Sequence, residues 1–140
     1  MKTFFITGGA GFIGSAFVRL LLEEQDCRVV NFDALTYAGN PDNLEGLDSS
    51  RHRFVCANIA DPEAVLANLE ENTDFLVNFA AESHVDRSIA SAAEFLRTNI
   101  IGTQVLLDAA RSRRVKRFVQ ISTDEVMGSL PENDNSFFNE

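Results

Sequence analysis

Thr7-Gly8-Gly9-Ala10-Gly11-Phe12-Ile13-Gly14 is the stretch that decides the fold. Ahead of it, Lys2–Thr7 is short and rich in β-branched and aromatic residues, and reads as a strand. Behind it, Phe12–Glu24 carries apolar residues at helical spacing. A GxxGxxG pattern between a strand and a helix has a mechanical meaning that a bare glycine turn lacks. Gly8 permits a tight turn, Gly11 lets backbone approach a pyrophosphate with no Cβ in the way, and Gly14 allows close helix-to-strand packing. The free N–H groups and positive dipole at the helix start then suit paired phosphates. Gly8, Gly11, Phe12, Ile13 and Gly14 are therefore candidate cofactor contacts.

Working outward, further strands are predicted at residues 28–32, 53–57, 75–79 and 117–122. Between them, Asp61 caps a helix with Pro62 at its first position, and residues 89–110 read as one long helix. Residues 34–50, with Gly39, Asn40, Pro41 and Gly46, are mostly loop with room for a short helix. Alternation of strands and helices predicts an α/β fold, a Rossmann-type doubly wound parallel sheet of about five strands. The whole chain, 1–140, is expected to be one domain with one core.

Polar residues gather just past the ends of all five strands: Gly8 and Gly11, then Asp33, Asn58, Glu82-Ser83-His84, and Ser122-Thr123-Asp124-Glu125. Ligands of open parallel sheets bind outside the carboxyl ends of the strands, so these clusters are expected to converge on one crevice. Asp33 stands about twenty residues beyond the glycines, where a carboxylate accepts from ribose hydroxyls and repels a 2′-phosphate. With Ala34, Leu35 and Thr36 following and no cation beside it, NAD is favoured over NADP. The plainer reading of Asp33 is a loop cap. Glu82, His84 and Asp86, taken alone, read equally as a loop with one satisfied histidine. Thr123, Asp124 and Glu125 set a hydroxyl and two carboxylates together, where burial and repulsion can split the two acids into a proton donor and a base suited to eliminating water.

Composition excludes several classes. A net charge of −9 argues against a phosphate-tracking groove, so no nucleic acid is expected. The one basic run, Arg111 to Arg117, suits a helix C-terminus and a solvated face. No apolar stretch approaches a membrane span, and Cys27 and Cys56 lie in no metal or disulfide pattern. Both cysteines are expected to be buried or half-buried, no metal is expected, and a soluble cytoplasmic protein is the default.

The residues closely resemble the NAD-dependent dTDP-glucose 4,6-dehydratases of the extended short-chain dehydrogenase/reductase superfamily. The resemblance rests on the glycine turn from Ile6, on Asp33-Ala34-Leu35-Thr36-Tyr37-Ala38-Gly39-Asn40, and on Ala80-Ala81-Glu82-Ser83-His84-Val85-Asp86-Arg87-Ser88-Ile89. Thr98-Asn99-Ile100-Ile101-Gly102-Thr103 and Ile121-Ser122-Thr123-Asp124-Glu125-Val126 complete it. It implies oxidation of a nucleotide-linked glucose at C4 by NAD, loss of water across C5 and C6, and return of the hydride to C6. It also implies that Asp124 is the acid for the C6 hydroxyl, Glu125 the base at C5, and that Thr123 holds the C4 hydroxyl. Leu35, Thr36, Asn58, Ile59, Ala80, Ala81 and Asn99 join the cofactor set, and Glu82, Ser83 and His84 face the sugar.

Three departures stand out. Asn58 replaces the Asp usual near the adenine amino group, where its amide oxygen could still accept, and Met127 replaces the Tyr usual before Gly128. No Tyr-x-x-x-Lys motif occurs, since the single Tyr37 is followed four residues on by Pro41. The resemblance further implies that residues 1–140 are an incomplete NAD-binding domain, its sheet truncated after about five strands and its substrate domain absent, so the chain alone is expected not to turn over. Self-association, a homodimer in the family, is expected through the exposed fifth strand and the long helix. A non-catalytic NAD-binding module or inactive fragment stays open as an alternative, and a nucleotide-sugar epimerase as a weaker one.

Overall fold

The computed structural model describes residues 1–84, 92–130 and 137. Five strands form one sheet: β1 (Lys2–Thr7), β2 (Cys27–Asp33), β3 (His52–Cys56), β4 (Phe75–Asn78) and β5 (Arg117–Gln120). Their order is β3-β2-β1-β4-β5 and every pairing is parallel. The chain starts in the middle and builds outward in both directions, so the sheet is doubly wound and its topological switch lies at the carboxyl ends of β1 and β4.

Side chains alternate between two layers, as a strand period of two demands. Phe4, Ile6, Val29 and Val77 pack with Val18 and Leu22 of α1 (Phe12–Glu24). Phe5, Val30, Phe32 and Leu76 face the opposite layer, under Val65 of α2 (Pro62–Asn68) and Leu106 and Ala109 further along. Phe5 and Phe32 lie 5.4 Å apart between ring centres. Being hydrophobic on both faces, the central strands read as near-continuous apolar runs.

The expected cap of α2 is present: Asp61 accepts from the N–H groups of Glu63 and Ala64, with Pro62 behind it. The loop between β2 and β3 contains the short helix foreseen there, a 3₁₀ turn at Pro41–Leu44. The long helix differs from expectation. It runs as α3 (Ala92–Phe95), a π-helical segment (Leu96–Gly102) and α4 (Thr103–Ser112), with Phe95 and Thr103 both helical at the junctions. The start foreseen at residue 89 lies outside the described residues. A second correction concerns Cys56, which is exposed because it closes the edge strand β3, while Cys27 is buried as expected. In the basic run, Arg113 donates to the Leu66 carbonyl at 2.7 Å and Lys116 pairs with Asp74 at 2.6 Å. Among the described residues, no helix is long and apolar enough to cross a membrane, and no acidic, His or Cys group is placed to hold a metal.

Candidate functional site

The glycine turn sits at the switch point and meets its neighbours at backbone distance. Gly8 has φ +70°, and a Cβ there would lie 2.5 Å from the Ala80 nitrogen, so the turn presses on the chain leaving β4. A Cβ on Gly14 would lie 2.2 Å from the Gly8 carbonyl oxygen. The close packing expected of Gly14 is therefore real, though its partner is the turn itself rather than a strand side chain. A Cβ on Gly11 would lie 3.3 Å from the Gly8 carbonyl oxygen, a tight contact, and 4.0 Å from that of Ala38. The helical ladder of α1 starts with Ser15 donating to Gly11 at 3.0 Å. Among the described residues, the N–H groups of Phe12, Ile13 and Gly14 precede that ladder and meet no backbone acceptor outside the helix. Their side chains take no part in this: Phe12 and Ile13 are 90% and 65% exposed.

Asp33 ends β2 with its carboxylate buried and shared between two loops. One oxygen accepts from Ala10 N at 2.9 Å, inside the glycine turn, and the other from Leu35 N at 2.8 Å. It is thus a loop cap and also part of the cleft wall. Leu35 adopts φ +49°, a left-handed conformation that costs a non-glycine residue about 1 kcal/mol. The Asp33 bond and the close passage of Gly39 hold it there.

An open cleft runs along these strand ends. Gly8, Gly11, Asp33, Thr36, Asn58, Ile59, Ala80, Ala81 and Glu82 all line it, so four of the five polar clusters converge as expected. Leu35, Asn99, Ser83 and His84 lie outside its wall. Asn99 contributes indirectly: from the π-helical turn, its amide donates to the Glu82 carbonyl at 2.9 Å and accepts from Glu82 N at 2.8 Å. The β4 loop is thereby held by an amide clamp. His84 meets Tyr37 edge-on, with ring centres 6.3 Å apart, which joins the loops after β2 and β4.

The fifth cluster does not reach the cleft wall. Thr123 caps a 3₁₀ turn at Asp124–Met127, and Thr123, Asp124 and Glu125 are exposed. The Thr123 hydroxyl lies 3.3 Å from Asp124 Oδ1 and 3.3 Å from Glu125 Oε2. One hydroxyl hydrogen can serve only one of these carboxylates at a time. The burial expected to separate two acids is not present at this edge of the sheet.

Two buried amides were not foreseen as part of the site. Asn78 accepts from Thr7 and from Ala80 N and donates to Gln120 at 2.9 Å, a polar row across β1, β4 and β5. Asn31 lies under Gly9, where a Cβ would fall 2.1 Å from its Oδ1. The available signal was a polar residue interrupting an otherwise apolar strand.

An open, doubly wound parallel sheet with a glycine turn and an acidic residue at adjacent strand ends defines the dinucleotide-binding α/β class. Within that class the chain belongs to the GDP-mannose 4,6-dehydratase family, whose model matches residues 5–140. It is 60% identical over 126 residues to the low-salt glycan biosynthesis protein Agl12 of Haloferax volcanii, covering 89% of this chain and 40% of that protein. It is 53% identical over 133 residues to the dTDP-glucose 4,6-dehydratase of Streptomyces niveus, covering 91% of this chain and 39% of that one. The structure of DesIV, a dTDP-glucose 4,6-dehydratase from Streptomyces venezuelae with NAD and TYD bound, matches with a TM-score of 0.87 at 48% identity. That match covers 94% of this chain and 42% of DesIV. The chain spans about two fifths of the length of the curated relatives it matches.

Proposed function

We propose that residues 1–140 form the NAD-binding domain of a nucleotide-sugar 4,6-dehydratase acting on dTDP-glucose. The observation that carries this reading is the cleft lined together by Gly8 and Gly11 of the glycine turn and by Asp33, with the first turn of α1 starting directly after Gly11. These groups fit a dinucleotide: amides for paired phosphates, a carboxylate for ribose hydroxyls, and no Cβ at the point of approach. Gly8, Gly11, Phe12, Ile13 and Gly14 would hold the pyrophosphate, and Asp33, Leu35 and Thr36 the ribose. Asn58 and Ile59 would meet the base, and Ala80, Ala81 and Asn99 would shape the nicotinamide end. Bound NAD supplies a reversible hydride acceptor.

In the proposed dehydration, Asp124 gives its proton to the departing C6 hydroxyl while Glu125 removes the C5 proton, and Thr123 orients the C4 hydroxyl. Glu82, Ser83 and His84 would face the sugar. Self-association through Leu96, Ile100 and Ile101, which are 54%, 58% and 48% exposed on one helix, belongs to the same proposal. So does a cytoplasmic location, which suits two unpaired cysteines. The exposure of residues 123–125 outside the cleft favours one alternative, a module that holds NAD without performing chemistry. Calorimetric titration tests the common claim: NAD binds at least about tenfold more tightly than NADP, because Asp33 repels a 2′-phosphate. Equal binding of the two, or none, would overturn it.

A further inference from the structure

Three stations lie side by side along the carboxyl edge, in the strand order β3-β2-β1: the glycine turn after β1, Asp33 ending β2, and Asn58 two residues past β3. A dinucleotide with its pyrophosphate on the first and its ribose on the second must lay its purine against the third, so this inference rests on the dinucleotide reading. At that station the cleft is lined by Ala57, Asn58 and Ile59, of which only Asn58 has a polar side chain.

The Asn58 amide has one side already committed. Its Oδ1 accepts from Ala60 N at 2.8 Å. This bond fixes which way the amide faces, because reversal would point an NH₂ at a backbone N–H and oppose two donors. What remains is Nδ2, which has no hydrogen-bond partner among the described residues. The side chain thus offers the base a donor, where a carboxylate would offer an acceptor. The exocyclic amine of adenine is itself a donor and can meet only the second lone pair of Oδ1, beside the bond from Ala60 N, whereas the ring nitrogens of either purine and the 6-oxo group of hypoxanthine accept from Nδ2.

We propose that Asn58 is a base-specificity residue, that its free Nδ2 meets a hydrogen-bond acceptor on the purine edge which a carboxylate there could not serve, and that the cleft therefore takes a hypoxanthine dinucleotide as readily as an adenine one. The test is calorimetric titration of the full chain and of Asn58→Asp with NAD and with nicotinamide hypoxanthine dinucleotide. The substitution is isosteric and keeps an acceptor for Ala60 N, and a thermal melt checks that the variant is folded. The natural chain should bind the hypoxanthine dinucleotide within about threefold of NAD, and Asn58→Asp should shift the ratio about tenfold toward NAD, the value of one hydrogen bond. A natural chain preferring NAD by tenfold or more, or a ratio unmoved by the substitution, would overturn the inference while leaving the dinucleotide site standing. Failure of both dinucleotides to bind would overturn the site and the inference together.

Discussion

Replacing Asp33 by Asn isolates what its charge does. The carboxylate, 8% exposed, bonds Ala10 N with one oxygen and Leu35 N with the other. An amide can accept from only one of these, and its NH₂ then faces the second N–H, donor against donor. Leaving a buried N–H unsatisfied costs about 1–3 kcal/mol, and bonds to a charged acceptor lie toward the upper half. We expect a loss of about 2 kcal/mol. For 140 residues, with an unfolding entropy of about 2 cal/mol/K per residue, that lowers Tm by roughly 7 °C. Differential scanning calorimetry of the two proteins measures it. NAD affinity should fall about tenfold or more as well, since the turn and the ribose acceptor are disturbed together. A variant within about 0.5 kcal/mol of the natural chain would refute the view that Asp33 fastens the glycine turn to β2.

Three further outcomes follow from the same geometry. Gly14→Ala sets a Cβ 2.2 Å from the Gly8 carbonyl, a backbone clash no rotamer relieves, and should destabilise by about 1–3 kcal/mol in denaturant titration despite Ala's better helix propensity. An aromatic disulfide reagent should label Cys56 rapidly in the folded protein and Cys27 only on unfolding, because Cys27 is buried and burial pushes its thiol pKa up. Burial also holds the His52 pKa below its ordinary 6.5. The unfolded chain therefore binds the proton more readily, so this stability is full above about pH 6.5 and declines as pH falls through the lowered folded value. Asn31 Nδ2, 3.4 Å from His52 Nε2, favours the same neutral ring. Unfolding measured from pH 7.5 to 5 should show that decline, and His52→Gln should flatten it.

The local parts of the fold were legible because local physics sets them. β1, the glycine turn and α1 agree with the sequence reading residue for residue, and Asp61 caps α2 as its spacing with Pro62 implies. Strand ends moved by a residue or two, since edges such as Ile121-Ser122 depend on what a neighbouring strand offers. The hidden features all depend on partners far along the chain. Asn78 is held by Thr7, 71 residues away, and by Gln120, 42 residues away. Gly9 owes its lack of a side chain to Asn31, and Asn99 clasps Glu82 from a widened helical turn. Residue periodicity cannot show which buried amide meets which backbone. The exposure of Asp124 and Glu125 was not legible, because burial at the β5 edge is a tertiary property.

Amide chemical shifts in a heteronuclear NMR titration with NAD test the central claim most directly. The account predicts that the largest changes fall on the backbone N–H groups of Gly11, Phe12, Ile13 and Gly14 and on Asp33, and that Asp33→Asn weakens them together. Binding that leaves those amides unmoved, with shifts gathered on another face of the sheet, would contradict it.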